Sequence, residues 1–547
     1  MPSLVHEILD REKKLRAARS QWESHWQELA EVMLPRRADF TTDRTPGAKR
    51  TELQYDGVPM LAVRGLAAAL DGLLKPKTSR WFRIKTDDAE LNELDEAKIW
   101  FEAVENRMWD AIYDPRARFT QRTGEVDRDL VTFGTGIMFI GESRDMSHLV
   151  FKSIHLKDAL IAESEDGSVD TLYSVIKKSA RQAEQKWGFD NLGGKTKEAL
   201  KGPNATPDMQ FRFLQAVQPR LDREPRLKNS TNMPWTDLTI DVESEHVVAE
   251  SGFEEFPFQT PRWDTMSGEL YGRSPGMLAL PDVNTVHQMG KTLLRAGQKA
   301  VDPPLLAPDD GSIDAPKTAP GSMIYFDVEL ARQMGGRPPI VPLNTGANMP
   351  LGREMQNDTR QQIFAAFFRD VLNLPTQGRQ MTATEILERK EEFIRTIGPV
   401  FGSLESDYTG AVVDRVFNIM MRAGSFPEAP EELQGRTVKF DFASPVIQAR
   451  KQINVAAAAR QFEILQPLAA MRPEIWDNYD VDQIARDTSE GVGVPQKWIL
   501  SKERVQEIRQ QRAQAQQQAE QIDLAERAVG GVAKLGGLIG QVGGGQT

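Results

Sequence analysis

The stretch DVNTVHQMGKTLLRAGQKA, residues 282–300, has apolar side chains at helical spacing and predicts an amphipathic helix. A second stretch, LGREMQNDTRQQIFAAFFRDV (351–371), has the same pattern. Each predicted helix is a rod roughly 30 Å long, at about 1.5 Å of rise per residue. The apolar stripes consist of Val283, Val286, Met289, Leu293 and Ala300 in the first helix, and of Leu351, Met355, Ile363, Phe364, Phe367, Phe368 and Val371 in the second.

The segment between the two rods, residues 302–350, has a different composition. It holds nine prolines and five glycines, which exclude a long helix. One short piece, SMIYFDV (322–328), has strand character. We therefore predict two rod helices joined by a compact insert.

The first half of the chain combines helices with a strand-rich region. Apolar periodicity predicts helices over 3–34, 57–74, 95–112 and 121–133. From about 137 to 260 the pattern changes to short strands, interrupted by one helix near 180–187. The sequence thus belongs to the α+β class and is mainly helical.

The C-terminal part is predicted to be helical around one loop. NLPTQGRQ (373–380) cannot continue a helix, and Thr382 to Glu385 form a capping box that starts the next one. That helix is expected to kink at Gly398–Pro399 and to end near Ala423. The capping box is a plain helix start or, given its place after the loop, a hinge.

Composition limits the possible function classes. Hydrophobic residues make up 40% of the 547 and charged residues 27%, which is enough to form a core. The net charge of −11 argues against a protein that coats nucleic acid. The chain has no cysteine, and neither a signal peptide nor a membrane span is expected. We expect synthesis in the cytosol, in a prokaryotic or viral setting.

Three motifs that suggest enzyme chemistry fail on spacing. GGKT (193–196) lacks the phosphate-loop spacing and follows a predicted helix, where that loop needs a strand. FGTG (133–136) lacks the third glycine of a dinucleotide turn, so its glycines are expected to let two backbones pack closely. The six histidines show no metal-binding spacing, and no G-x-S-x-G is present. We expect no enzyme activity, no cofactor and no metal site.

One basic and aromatic stretch, DGLLKPKTSRWFRI (71–84), allows two interpretations. Its cations and rings have the composition of a nucleic-acid contact. The alternative, which we favour, is that Trp81 and Phe82 pack in the core at a helix-to-strand corner while the lysines lie on the surface of the turn.

An ordered set of stretches resembles the portal, or head-to-tail connector, proteins of short-tailed phages (podoviruses). No single stretch is decisive, but their order over about residues 20–400 is fairly specific. They are SQWESHWQELAEVMLPRRADF (20–40), YDGVPMLAVRGLAAALDGLLKPKTSRWFRI (55–84), FGTG (133–136), ELYGRSPGMLALPDVNTVHQMGKTLLRAGQKAVDPPLL (269–306) and MTATEILERKEE (381–392).

The resemblance implies a fold with wing, stem, clip and crown regions, assembled as a closed ring, usually of twelve copies. The rod pair fits the stem and the proline-rich insert fits the clip. The implied divisions are a wing over 1–281, stem helix 1 over 282–301, the clip over 302–350, stem helix 2 over 351–371, a channel loop and long kinked wing helix over 372–445, a helical crown over 446–529 and a Gly-rich flexible tail over 530–547.

The implied function is a conduit at one capsid vertex for genome packaging and ejection. The implied partners are double-stranded DNA, the terminase large subunit that drives packaging, a tail adaptor or head-completion protein, the major capsid and scaffolding proteins, and possible internal core proteins. The protein would reside in the virion, and in the host cytoplasm during assembly.

The resemblance also places the channel loop between the stem and the long helix. The DNA-facing candidates there are Asn373, Gln377, Arg379 and Gln380. Arg379 either touches the DNA backbone or only pairs with an acid on a neighbouring subunit.

Other features and functions stay open. The phenylalanines 364, 367 and 368 are expected in the wing core or between subunits, and the Gln/Ala-rich stretch 503–528 in a solvated coil or a ring-closing barrel. Another virion protein, such as a tail adaptor or internal core protein, is the main alternative function. A nucleotide-dependent DNA-processing enzyme is a weaker one, because GGKT has the wrong spacing and context.

Overall fold

A computed structural model describes most of the first 306 residues and separate parts of the rest. Described are 2–306 except 43, 44, 46, 53, 144, 203, 204, 225 and 228, followed by 328–333, 335, 341–342, 346, 348–369, 398, 402–442, 445–492, 494, 498–500, 504–519 and 521. Two compact units emerge: Met1–Ser79 with Ala111–Ile419, and the described parts of Arg80–Asp110 with Met420–Thr547.

Helices account for most of the regular structure. They are α1 (Pro2–Met33), α2 (Val58–Leu74), α3 (Ala89–Glu93), α4 (Asp95–Ile112), α5 (Phe119–Phe133), α6 (Ala180–Trp187), α7 (Gly194–Lys201), α8 (Pro275–Val301), α9 (Val328–Gln333), α10 (Met349–Ala366), α11 (Ala411–Arg422), α12 (Pro445–Met471) and α13 (Val481–Val492). Residues 504–519 are also helical.

Twelve strands form four antiparallel sheets within the described residues, ordered β4-β5-β6-β7-β8, β3-β2-β9, β1-β12 and β10-β11. The strands are β1 (Phe82–Thr86), β2 (Met138–Glu142), β3 (Leu149–Ser153), β4 (Ala159–Glu163), β5 (Val169–Ser179), β6 (Gln210–Pro219), β7 (Trp235–Asp241), β8 (His246–Phe253), β9 (Phe258–Gln259), β10 (Leu305–Leu306), β11 (Val341–Pro342) and β12 (Val438–Phe442).

The five-stranded sheet is covered by helices on both faces. Leu214 of β6 packs with Ile8 of α1, whereas its neighbour Phe213 packs with Ala183 of α6. Successive side chains of a strand point to opposite faces, so the two helices cover opposite sides of the sheet. The predicted α+β class and the predicted strands between 137 and 260 are confirmed.

An arginine ties α1 to the turn that precedes β4. The Arg19 side chain is 1% exposed, and its guanidinium donates to the carbonyls of Leu156 and Lys157 at 2.6 and 3.1 Å. It also donates to Glu23 at 2.6 Å. The hydrogen bonds satisfy a buried charge, which would otherwise be costly.

The basic and aromatic stretch around Trp81 forms part of the second unit's core. Trp81 and Phe82 are 1% and 0% exposed, and their rings meet edge to face at 5.0 Å. Ile84 of β1 is paired with Phe440 of β12, a strand that the sequence analysis did not predict. The core interpretation of Trp81 and Phe82 is confirmed, and burial of both rings excludes stacking on bases.

Two helix bounds differ from the predictions. Helix α8 begins at Pro275, not at 282, because Ser274 caps it by accepting from the Met277 N–H, and it continues through Pro281. Helix α10 ends at Ala366 rather than at 371, since Phe368 adopts a left-handed conformation with φ of 57°. Pro275 takes the first helical position, where a missing N–H costs no helix bond, whereas Pro281 lies inside the helix and cannot donate to the carbonyl four residues earlier.

The first glycine of FGTG marks a close approach of two backbones. Gly134 ends α5 with φ of 79°, and a Cβ built there would lie 2.6 Å from the carbonyl carbon of Gly272. The Trp263 N–H donates to the Gly134 carbonyl at 2.9 Å, and the Gly272 N–H donates to the Thr135 hydroxyl at 2.9 Å. The expected role is confirmed for Gly134.

We predict that Gly134→Ala destabilises the fold far more than Gly167→Ala does. Both glycines have φ near 80°, but a Cβ at Gly167 meets nothing within 4 Å. The control therefore pays only the left-handed strain of about 1–2 kcal/mol. Gly134→Ala adds the clash, and we expect at least about 2 kcal/mol more in urea unfolding. Equal losses for the two variants would refute the close-approach explanation.

Candidate functional site

The two predicted rods form an antiparallel helix pair. A Cβ on Gly297 of α8 would lie 3.8 Å from Met349 at the start of α10, and one on Gly352 would lie 2.6 Å from Leu293. Further along, the Thr359 hydroxyl is 3.9 Å from the Met289 sulfur. The pairing of late α8 positions with early α10 positions fixes the antiparallel direction. The missing side chain at Gly352 lets the helices approach closely, because a Cβ there would clash with Leu293.

One buried carboxylate, that of Asp56, fastens this pair to the start of α2. Its Oδ2 accepts from Gln356 Nε2 at 3.1 Å and from Arg360 Nε at 2.9 Å, both on α10. Its Oδ1 accepts from the Val58 N–H at 2.9 Å, at the first turn of α2. The side chain is only 2% exposed, so the three contacts replace its lost hydration.

A histidine on α8 binds the same segment of chain around Asp56. Nδ1 of His287 accepts from the backbone N–H groups of Tyr55 and Asp56 at 3.1 and 3.2 Å. Accepting there places the ring proton on Nε2. Burial lowers the pKa of His287, although the charge of Asp56 opposes that effect. The neutral ring therefore acts as a hydrogen-bond acceptor between α8 and the 55–57 loop.

A second buried ion pair lies at the other end of α2. It shows that the predicted surface position of Lys75 is wrong. Lys75 was expected on the surface of its turn, but its side chain is 1% exposed and Nζ lies 2.8 Å from Asp127 Oδ1 on α5. The ammonium also lies 4.3 Å from the centre of the Tyr408 ring. Burial raises the pKa of Asp127 in spite of Lys75. The exposed cation of that turn is Lys77.

A short apolar groove runs between α2 and α10. It has a volume of about 360 Å³ and includes Leu61, Leu66, Phe364 and Phe367 in its lining. Of the three phenylalanines, Phe367 is 1% exposed while Phe364 and Phe368 are half-buried. The Arg369 guanidinium lies 3.8 Å from the Phe364 ring centre. All of these contacts lie within one unit, and they bury Phe367 while Phe364 and Phe368 stay partly exposed.

The four candidates for facing DNA lie outside the described residues. The described chain stops at Arg369, four residues before Asn373, and Gln377, Arg379 and Gln380 follow. The same holds for the capping box at Thr382–Glu385, for Pro399 of the kink and for 322–327 of the SMIYFDV piece. The helix that follows is described from 402 and ends at Arg422, close to the predicted end.

The GGKT segment has a structural role. It opens the short helix α7 and follows α6, which is helical where a phosphate loop needs a strand. The Thr196 hydroxyl donates to the Asp241 carboxylate at 2.7 Å and is buried. Its hydroxyl is thus engaged in joining α7 to β7.

Two kinds of feature are absent from the described residues. Within them, no cluster of three or more His, Asp or Glu side chains is placed to hold a metal ion. None of the described helices is long and apolar enough to cross a membrane.

Only the contact of Asp56 with the start of α2 has a local signal in the sequence. An aspartate that can accept from the backbone N–H two residues later is a common turn signal, and Asp56 lies two residues before Val58–Pro59, where α2 begins. Its distant partners, Gln356 and Arg360, lie 300 or more positions away. Nothing local in the sequence indicates that pairing.

Comparison with known proteins identifies the class. The profile of the family described as "Bacteriophage head to tail connecting protein" matches residues 5–500. The chain therefore belongs to this family of phage portal proteins, which are structural proteins of the virion. The podovirus connector resemblance stated from the sequence is confirmed.

Two phage proteins are similar in sequence to this chain. The chain is 30% identical over 537 residues to the "Portal protein" of Salmonella phage epsilon15, covering 96% of this chain and 94% of the relative. It is 29% identical to the "Probable portal protein" of Bordetella phage BPP-1, covering 97% and 95%. Both matches run over nearly the whole of each chain.

Solved structures are more distant. The "Virion of native gene transfer agent (GTA) particle" matches with a TM-score of 0.33 and 10% identity, covering 76% of this chain and 86% of that one. The "Neck of empty GTA particle computed with C6 symmetry" matches with a TM-score of 0.36 and 10% identity, covering 80% and 93%. Scores this low establish neither a shared fold nor a shared function.

We predict that Asp56 and Arg360 are energetically coupled. Asp56→Asn and Arg360→Gln each remove the charge from this contact and should each lower the free energy of unfolding by about 1–3 kcal/mol. The double variant should lose less than the sum of the two, by at least about 0.5 kcal/mol. Urea unfolding at fixed protein concentration measures all four proteins.

The matched control is Arg353→Gln on the same helix. Arg353 is exposed and forms no ion pair with any described residue, so its loss should change stability by less than about 0.5 kcal/mol. Strict additivity of Asp56→Asn and Arg360→Gln would show that Asp56 does not bind α10 as described.

Proposed function

We propose that this protein forms a closed ring at one capsid vertex and serves there as the conduit for the phage genome. The proposed number of copies is twelve, as is usual for the family. The single observation that carries the proposal is the match to two portal proteins over nearly their full lengths. The antiparallel α8–α10 pair, joined through a proline-rich insert, supports it structurally. The role is structural, and no catalysis by this chain is proposed.

The regional plan follows from the same proposal. We assign a wing to 1–281, the stem to 282–301 and 351–371, the clip to 302–350, the channel loop and long helix to 372–445, the crown to 446–529 and the tail to 530–547. Helix α8 begins at Pro275, so the stem helix extends back into the assigned wing.

The proposed partners are those of a conduit. Double-stranded DNA would pass through the ring, the terminase large subunit would drive packaging, and a tail adaptor or head-completion protein would dock afterwards. Capsid, scaffolding and internal core proteins would surround the ring, first in the host cytoplasm and then in the virion.

The net negative charge of the chain suits a channel through which DNA slides. Twelve copies at −11 carry a formal charge of −132, which repels phosphates from the ring as a whole. A few polar or basic side chains are then enough to touch the backbone, and Arg379 with Asn373, Gln377 and Gln380 is the proposed set. In the alternative role, Arg379 pairs with an acid on the neighbouring subunit.

The first experiment measures mass and shape. Each chain has a mass of 61.4 kDa, so light scattering should give a particle of about 0.7 MDa for twelve copies. Electron-microscope class averages should show a ring with an open centre. A monomer or dimer that persists at high concentration would overturn the proposal and favour the adaptor or core-protein alternative.

A second measurement on the same rings separates the two roles of Arg379. If it touches phosphates, Arg379→Gln should leave ring mass unchanged and lower affinity for short duplex DNA by about tenfold at low salt. If it pairs with a neighbouring acid, ring assembly should weaken instead. Arg353→Gln serves as a control with the same loss of charge.

A further inference from the structure

Helix α8 carries a line of unpaired cations. Lys291, Arg295 and Lys299 follow each other at intervals of four, so they form one stripe along the helix. None of the three forms an ion pair with a described residue. The Lys291 ammonium lies 5.6 Å from the ring centre of Tyr55. At 100° per residue, each of the three lies 200° around the helix from Leu293 or Gly297, which face α10, so the stripe runs along the edge of α8 that points away from α10.

Helix α10 carries a shorter line of unpaired acids. Glu354 and Asp358 are exposed, four residues apart, and form no ion pair with the described residues. At 100° per residue, Asp358 lies 200° around the helix from Arg360, and Glu354 lies 200° from Gln356. Arg360 and Gln356 both bind Asp56. The acids therefore point away from the 55–57 loop, and Glu354 also lies 200° from Gly352, which faces α8, so they run along the opposite edge of the helix pair.

Apolar side chains accompany both stripes. Leu294, three residues after Lys291, is 56% exposed. On the other side, Leu351 and Met355 are 51% and 50% exposed, and Met355 lines a groove of about 500 Å³ with Met289. Association surfaces need apolar contact as well as charge complementarity. Each side of the helix pair offers both.

A helix pair that is basic on one side and acidic on the opposite side is best matched by a second copy of itself. Head-to-tail contacts between identical chains join two different patches, and such contacts close into rings when the rotation permits. A chain with both patches is complementary to its own copies. DNA would be attracted to the basic side but would leave the acidic, apolar side uncovered.

We propose that the Lys291–Arg295–Lys299 stripe of one copy docks on the Glu354–Asp358 side of the α8–α10 pair of the next copy. The antiparallel pairing puts Asp358 near the level of Met289 and Glu354 near that of Leu293. A shift between copies of about two residues along the helix, roughly 3 Å, places Lys291 opposite Asp358 and Arg295 opposite Glu354. This inference rests on the proposed ring and names the contact that closes it.

The test reverses the charges of each stripe. One variant carries Lys291→Glu, Arg295→Glu and Lys299→Glu, and the other carries Glu354→Lys and Asp358→Lys. In each, both sides of the helix pair have the same sign. We expect the concentration needed for half-assembly to rise at least about tenfold in either variant alone.

Mixing the two variants gives the decisive result. An all-acidic copy and an all-basic copy complement each other, so the equimolar mixture should form rings of alternating copies near the wild-type concentration. Assembly of the wild type should weaken between about 0.05 and 0.5 M salt, because the Debye length falls over that range. Far-ultraviolet circular dichroism checks that each variant is folded.

The alternatives have distinct readouts. A wild-type chain that forms no ring refutes the proposed function itself. Intact rings from both single-stripe variants refute only the docking inference. Intact rings of the Lys291, Arg295 and Lys299 variant with reduced affinity for short duplex DNA assign the basic stripe to DNA. Variants that fail to assemble both alone and when mixed also refute the pairing.

Discussion

The Asp56 carboxylate is the contact on which the α8–α10 pair depends. Asp56 lies two residues before α2, and its carboxylate binds α10 through two side chains while its backbone N–H binds α8 through His287. A buried carboxylate without partners would be strongly destabilising. Because its partners lie on both rods, the loop, the start of α2 and the antiparallel pair are fixed together. The charged faces of the pair keep their orientation relative to α2 for the same reason.

Buried charge is used in the same way at other places in this unit. Arg19 joins α1 to the turn before β4, and Lys75 joins the end of α2 to α5 through Asp127. Each contact links segments that are far apart in sequence but adjacent in the fold. Buried ion pairs add little net stability, yet breaking one leaves an uncompensated charge. Their consequence here is that α1 is fixed against the turn before β4 and the end of α2 is fixed against α5.

The helix pair also connects fold with function. Two rods held at close approach by Gly352, with opposite charge on opposite sides, form a rigid element that a neighbouring copy can recognise. The match to portal proteins makes a ring the natural assembly, and the proposed docking gives that ring a specific chemical contact. The conduit role and the subunit contact therefore involve the same segment of the chain.

The sequence by itself determined the elements whose signal is local. Apolar periodicity predicted α1, α2, α4 and α5 within two residues of their ends, and the strand run between 137 and 260 followed from alternation and composition. The ordered family stretches predicted the class of protein. The glycines of FGTG indicated a close backbone approach, although not that Gly272 is the partner.

Tertiary structure alone decided what depends on distant partners. Lys75 looks like a surface lysine because its neighbours Pro76 and Lys77 form an ordinary turn, and only Asp127 on α5 accounts for its burial. Strand β12 is short and becomes recognisable through β1, more than 350 residues earlier. The local sequence around Asp56 indicates a turn before α2 but not the binding of Asp56 to α10. Local patterns report spacing along the chain, whereas burial and charge pairing depend on which segments the fold brings together.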